Sequence, residues 1–136
     1  RLTAGASEPA SYTWTFSLST NVVAGITAFR GINTTTPVDV EAAQATGTGT
    51  THAAPSVTTT VVNTLLVAMY TVDNNGSFTP PTGMTERLDV TTASSFHASM
   101  LADEVRAETG ATGTRVATSA ASGGQGVACL LALKPA

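Results

Sequence analysis

Ser11-Tyr-Thr-Trp-Thr-Phe-Ser-Leu18 alternates apolar and polar side chains without a break. Successive side chains of a strand point to opposite faces, so Tyr12, Trp14, Phe16 and Leu18 share one face while Thr13, Thr15 and Ser17 share the other. This is the strongest strand signal in the chain, and it assigns the aromatic face to a core. After a turn through Ser19-Thr20-Asn21, residues Val22 to Arg30 read as a second strand. Ile26 and Phe29 supply its bulk, and Ala24, Gly25 and Ala28 permit close approach.

Further along, Pro37 introduces a short edge strand at Val38 to Val40, and Ala43 to Ala54, with two glycines and no apolar period, reads as a loop. Ser56 to Val61 is β-rich. Leu65-Leu-Val-Ala-Met-Tyr-Thr-Val72 is apolar on both faces, the pattern of a central strand covered on both sides. Asp73-Asn-Asn-Gly76 carries a favourable turn pair, and Pro80-Pro81 ends the strand that holds Phe78. Met84 to Val90 reads as another strand. Phe96 to Arg106 satisfies both the helical and the strand period, and the strand reading agrees with its surroundings. Thr114 to Ala120 alternates weakly, Ser122 to Gly126 is a turn, and Val127 to Leu133 closes the chain as a buried strand. The expectation is an all-β fold, an antiparallel β-sandwich, jelly-roll-like, of eight or nine short strands in a single domain over residues 1–136.

Composition supports strands. Charged residues make up 11% of the 136-residue chain against a globular norm of about 25%, and Lys134 is the only lysine. Threonine, with 26 occurrences, supplies much of the missing polarity, and its β-branched side chain suits a pleated, half-buried surface. A surface this poor in charge does little to hold bare strand edges apart, so the edges are expected to be covered by loops or other chains. A net charge of −3 with scattered arginines leaves no basic stripe for nucleic acid. No apolar run approaches the length of about 18 residues needed to span a bilayer as a helix. With one cysteine the chain has no internal disulfide, and Cys129, inside an apolar run, reads as a small core residue.

Several phrases resemble a recurrent module of bacterial secreted, cell-surface and phage-associated structural proteins. They are Tyr12-Thr-Trp-Thr-Phe16, Ala24-Gly-Ile-Thr-Ala-Phe-Arg-Gly31 with Pro37-Val-Asp39, Ala54-Pro-Ser-Val-Thr59, Pro81-Thr-Gly-Met-Thr-Glu-Arg87, and Ala128-Cys-Leu-Leu-Ala-Leu-Lys-Pro135. The resemblance implies a β-sandwich used as a surface or virion building block. It attaches no ligand or catalytic role to any residue.

Chemistry-bearing residues are few. His52 and His97 have no closely spaced donors from Asp39, Glu104 or Cys129 to complete a zinc site, and they read as a loop and a strand histidine. Ser99, His97 and Asp103 lie near one another in sequence without a nucleophile elbow. The pairs Asp39 with Glu41, Glu86 with Asp89, and Asp103 with Glu104 would need a sugar cleft between them to act as glycosidase carboxylates. Solvated faces and strand ends account for them. Arg30 and Arg87 are candidates to clamp turns, Arg87 through its neighbours Glu86 and Asp89. Asp73 to Ser77 is oxygen-rich but lacks the spacing of a calcium loop, so a hairpin turn is preferred. Asn33-Thr-Thr35 and Asn75-Gly-Ser77 meet the glycosylation sequon.

No catalytic, cofactor or metal residues are therefore assigned. The expected function is a non-enzymatic structural or assembly module at an extracellular, cell-surface or virion location, touching copies of itself or a larger surface protein through sheet faces and edges. The alternative is a carbohydrate-binding or host-attachment module. That reading needs an exposed aromatic platform, and exposure of the Tyr12, Trp14 and Phe16 face would raise it.

Overall fold

The computed structural model describes residues 2–19, 21–92 and 97–136. Among them are ten strands in antiparallel sheets and no helix. The strands are β1 (Val38–Gly49), β2 (Thr51–Ala54), β3 (Thr58–Thr59), β4 (Thr64–Val72), β5 (Phe78–Thr79), β6 (Thr85–Thr91), β7 (Ala98–Arg106), β8 (Gly110–Ala111), β9 (Arg115–Ser119) and β10 (Gly124–Leu133). Five of them form one sheet in the order β1-β10-β4-β7-β6; β2-β9-β5 form a second, and β3-β8 a third.

The apolar stretch at Leu65 to Val72 lies at the centre of the large sheet, as its two-sided pattern requires. Its alternate residues Leu66, Ala68, Tyr70 and Val72 face a core completed by Met100 and Ala102 of β7 and by Ala128, Leu130 and Ala132 of β10. From the other side the core receives Ala54 of β2, Phe78 of β5 and Ala117 of β9. Register explains how so many alanines fill it. Ala128 stands beside Tyr70, Leu130 beside Ala68, and Tyr70 beside Met100, so small residues alternate with large ones and the layers close up.

Two of the predicted strands are absent. Tyr12 to Leu18 and Val22 to Arg30 belong to no sheet, and the aromatic face assigned to the core is open to solvent, with Trp14 55%, Phe16 53% and Leu18 79% exposed. Alternation makes a segment compatible with a strand, but a ladder requires a partner. Residues 2–30 make no backbone-to-backbone hydrogen bond among the described residues. The turn expected at residues 19–21 includes Thr20, which lies outside the described residues, as does Phe96 at the start of the 96–106 segment.

The Ala43 to Ala54 loop is replaced by the end of β1 and the whole of β2. Its polar small residues form an edge strand in which Ala43, Gln44 and Ala45 pair with Cys129, Ala128 and Val127. The strand at Ser56 to Val61 shrinks to Thr58–Thr59, and the short strand at Val38 extends to twelve residues. Ten strands thus stand where eight or nine were expected. The β reading of residues 98–106 holds, with Leu101 opposite Met69 and Val105 opposite Leu65.

Candidate interaction surface

The second face of the large sheet carries the row Ala43, Cys129, Met69, Leu101 and Leu88, read across β1, β10, β4, β7 and β6. Neighbouring positions on this face include Leu65, Leu131, Val105 and Val127, of which Val105 and Val127 are exposed. Apolar residues form the middle of this face, Glu41, Thr71, Ser99 and Asp103 share it, and it is only partly covered.

Its cover is the strap at residues 22–30. The Leu88 side chain occupies the space that a Cβ on Gly25 would need, which places the strap against β6, and a larger residue at 25 would require Leu88 to move aside. At its other end the strap meets the C-terminus. Ile32 bridges Pro135, the Asn33 amide donates to the Lys134 carbonyl at 3.0 Å, and the Ala136 amide donates to Gly31 at 2.9 Å. Val23, Thr27 and Phe29 are half-buried, whereas Val22, Ala24, Ile26, Ala28 and Arg30 face solvent. The strap thus keeps the side-to-side alternation of a strand while lacking a strand's hydrogen bonds. Before it, residues 2–19 form an arm whose local contacts include Glu8, which accepts from the Gly5 amide and the Tyr12 hydroxyl.

The polar candidates are dispersed into local pairs. His52 lies in β2 and is buried, not on a loop. Its Nδ1 is 2.8 Å from Thr46 Oγ1, its ring stands edge-on to Phe78, and burial holds its pKa below the ordinary histidine value. His97 faces Asp73, with Nδ1 and Oδ1 3.4 Å apart. Ser99 lies 3.4 Å from the Thr71 hydroxyl, and Asp103 is gripped by Arg87, so Ser99, His97 and Asp103 each have a different partner.

The arginine clamp is real, but its carboxylate is not a sequence neighbour. Arg87 Nε and Nη2 donate to the two oxygens of Asp103 on β7, at 2.9 and 3.0 Å. The register shift between Glu86 and Leu88 accompanies this reach across the strands. Asp89 instead accepts from the Phe78 amide at 2.8 Å. Glu104 points to the opposite face from Asp103 and binds Arg115 Nε at 2.7 Å. Among the described residues Arg30 has no carboxylate partner.

Asp39 accepts from the Thr60 amide at 2.7 Å and from its hydroxyl; burial alone would raise this carboxyl, but the Thr60 hydrogen bonds outweigh it and hold the pKa down. Glu41 lies on the edge strand and Glu86 on β6, both exposed. Asn74 Oδ1 accepts from the Gly76 amide and the Ser119 hydroxyl, so this turn spends its buried oxygen internally. Asn33 does the same with the Thr35 and Thr36 amides. Burial pushes the Cys129 thiol up, away from thiolate chemistry. Among the described residues no group of three His, Cys, Asp or Glu side chains converges as a metal would need, and no helix is long and apolar enough to cross a membrane.

No family model, curated protein or solved structure matches the chain. Geometry alone therefore defines the candidate site. It consists of extended edges, the half-covered apolar face and the exposed aromatic arm. The sequence signal for the arm was present, in the alternation at residues 11–18, but its apolar side is exposed rather than packed into the core.

Proposed function

We propose that the chain is a non-enzymatic structural or assembly module of a virion or cell surface, with a sandwich-like scaffold that binds copies of itself or a larger surface protein through sheet edges and faces. The observation that carries this reading is β1. It is a twelve-residue strand at one edge of the five-stranded sheet, paired there with β10 only. Its charges, Asp39 and Glu41, lie near its start and its register shifts fall between Val38 and Val40 and between Thr46 and Gly49, so residues 42–46 present an uncharged, regularly paired edge with no lysine or proline to blunt it. That segment is suited to pairing with another chain. Sedimentation at physiological salt, with and without candidate surface partners, tests the reading. A chain that stays monomeric and binds none of them removes it.

Carbohydrate binding is the second reading, and the exposure of Tyr12, Trp14 and Phe16 favours it. It ranks second because a sugar platform needs aromatic rings held in fixed positions, and here they sit on an arm outside the sheets. A glycan array with the intact chain decides it, and uniform absence of binding eliminates it.

A further inference from the structure

The two edges of the large sheet are finished differently. At β6 the ladder shifts register between Glu86 and Leu88, the strand carries the charges of Glu86, Arg87 and Asp89, and the strap lies against Leu88. A bulge, charged side chains and a covering segment are ordinary means of closing an edge. At β1 the stretch Ala42-Ala-Gln-Ala-Thr46 has no charge and no register shift. Ala43, Gln44 and Ala45 are exposed, and the Gln44 amide turns back to donate to the Ala53 carbonyl at 2.7 Å. Only near the start of β1 is a neighbouring segment engaged, where Asp39 holds Thr60. Among the described residues β1 makes no backbone-to-backbone hydrogen bond outside its ladder with β10.

We propose that β1 pairs with β1 of a second copy, antiparallel about a twofold axis at residue 43 or 44, joining the two five-stranded sheets into one continuous sheet. This deepens the assembly reading and rests on it. The placement of charge selects a second copy as the occupant. Asp39 and Glu41 lie among the first four residues of β1, and Ala42 to Gly49 carry no charge. Antiparallel self-pairing therefore lays the acidic start of each strand along the uncharged half of the other. Glu41 comes opposite Ala45 or Gly47 of the second copy, and Asp39 opposite Gly47 or Gly49. Gly47 and Gly49 both have open space where a Cβ would stand, which leaves room for these carboxylates. Parallel self-pairing would instead set each carboxylate beside its own counterpart, which is destabilising. In either antiparallel register even-numbered residues meet even-numbered ones, so Ala42, which packs on the core side, meets Gln44 or Thr46 on that same side. Since the β6 edge is blunted, each large sheet offers one open edge, and a self-complementary contact there closes at two copies instead of running on as a fibre.

The experiment is sedimentation equilibrium of the intact chain across a wide concentration range, with amide hydrogen exchange measured below and above the association midpoint. The expected result is a dimer in which the outward amides of residues 42–46 exchange at least tenfold more slowly than in the monomer, while those of β6 are unchanged. Ala43→Lys with Ala45→Lys, and separately Ala43→Glu with Ala45→Glu, should each weaken dimerisation at least tenfold, because like charges then meet across the axis. An equimolar mixture of the two variants should dimerise more tightly than either alone. Both positions are exposed, and thermal melts at low concentration verify that the variants are folded. A wild-type chain that stays monomeric overturns the self-pairing, and the assembly reading survives that result if the monomer binds a surface partner. A wild-type dimer whose residue 42–46 amides exchange as fast as in the monomer also overturns the self-pairing while the assembly reading stands. Folded variants that dimerise as tightly as wild type, or whose mixture shows no gain, overturn it in the same way.

Discussion

The Tyr70 hydroxyl, on the central strand of the large sheet, donates to the backbone carbonyl of Arg115 on β9 at 2.8 Å. One hydrogen bond thereby ties the centre of one sheet to the middle strand of another, through a core that the Tyr70 ring also fills against Phe78. Burial pushes the phenol pKa up, which favours the protonated hydroxyl that donates this bond. Tyr70→Phe keeps the packing and orphans the carbonyl, which should cost about 1 kcal/mol in urea unfolding. Tyr70→Ala removes the ring as well and should cost about 3–5 kcal/mol, by analogy with other large-to-small aromatic changes.

His52 gives the fold an acid sensitivity distinct from that of its carboxylates. Burial lowers its pKa in the folded chain below the unfolded value of 6.5, so the unfolded state takes up the proton first. Its contribution to stability is complete above pH 6.5 and is lost as pH falls through that value towards the folded pKa. Stability measured at pH 7.5 and pH 5 should therefore drop in the wild type. In His52→Leu, which fills the same buried site without a proton to gain, the drop should be smaller. An equal drop in both proteins would show that His52 is not the responsible group.

Gly76 and Gly47 make a matched pair for a test of close packing. A Cβ at Gly76 would sit 2.6 Å from Ser119 Oγ and 2.8 Å from Ala121 Cβ, with the Ala121 backbone closer still. Gly76→Ala should therefore destabilise by about 1–3 kcal/mol, as overpacking does. Gly47, on the edge strand β1, has open space where its Cβ would go. Gly47→Ala should leave stability within about 0.5 kcal/mol of wild type, as surface substitutions usually do. Chemical denaturation of the two variants reads the difference directly.

The Arg87 clamp predicts non-additivity. Asp103 is almost fully buried and meets both guanidinium donors, so Asp103→Asn and Arg87→Met should each lower the melting temperature. The double variant should lose less than the two single losses combined, because the second change removes a group already without its partner. Strict additivity would mean that the pair contributes no coupling.

Much of the large sheet was legible from local pattern. Leu65 to Val72 reads as a two-faced apolar strand because it is flanked on both sides, and Val127 to Leu133 carries the same signature in the strand beside it. The Pro-Pro pair marks the turn closed by the Met84 amide on the Pro81 carbonyl, whereas the hairpin expected at Asp73 to Ser77 is instead a crossing from β4 in the large sheet to β5 in the second, because β5 finds its partner in β9 and not in β4. The clamp was half legible: Arg87 was singled out, but its partner Asp103 lies on another strand, and register alone brings them together.

Local alternation by itself determined that this chain is written in strands, because side-chain direction along an extended backbone is fixed by adjacent residues. Only the tertiary structure decided which of those strands acquire partners. Tyr12 to Leu18 has the cleanest alternation and stays outside the sheets, while the featureless Ala43 to Ala54 enters two of them. The physical reason is that a strand is completed by hydrogen bonds from elsewhere in the chain, and no segment's own residues encode whether that elsewhere is available.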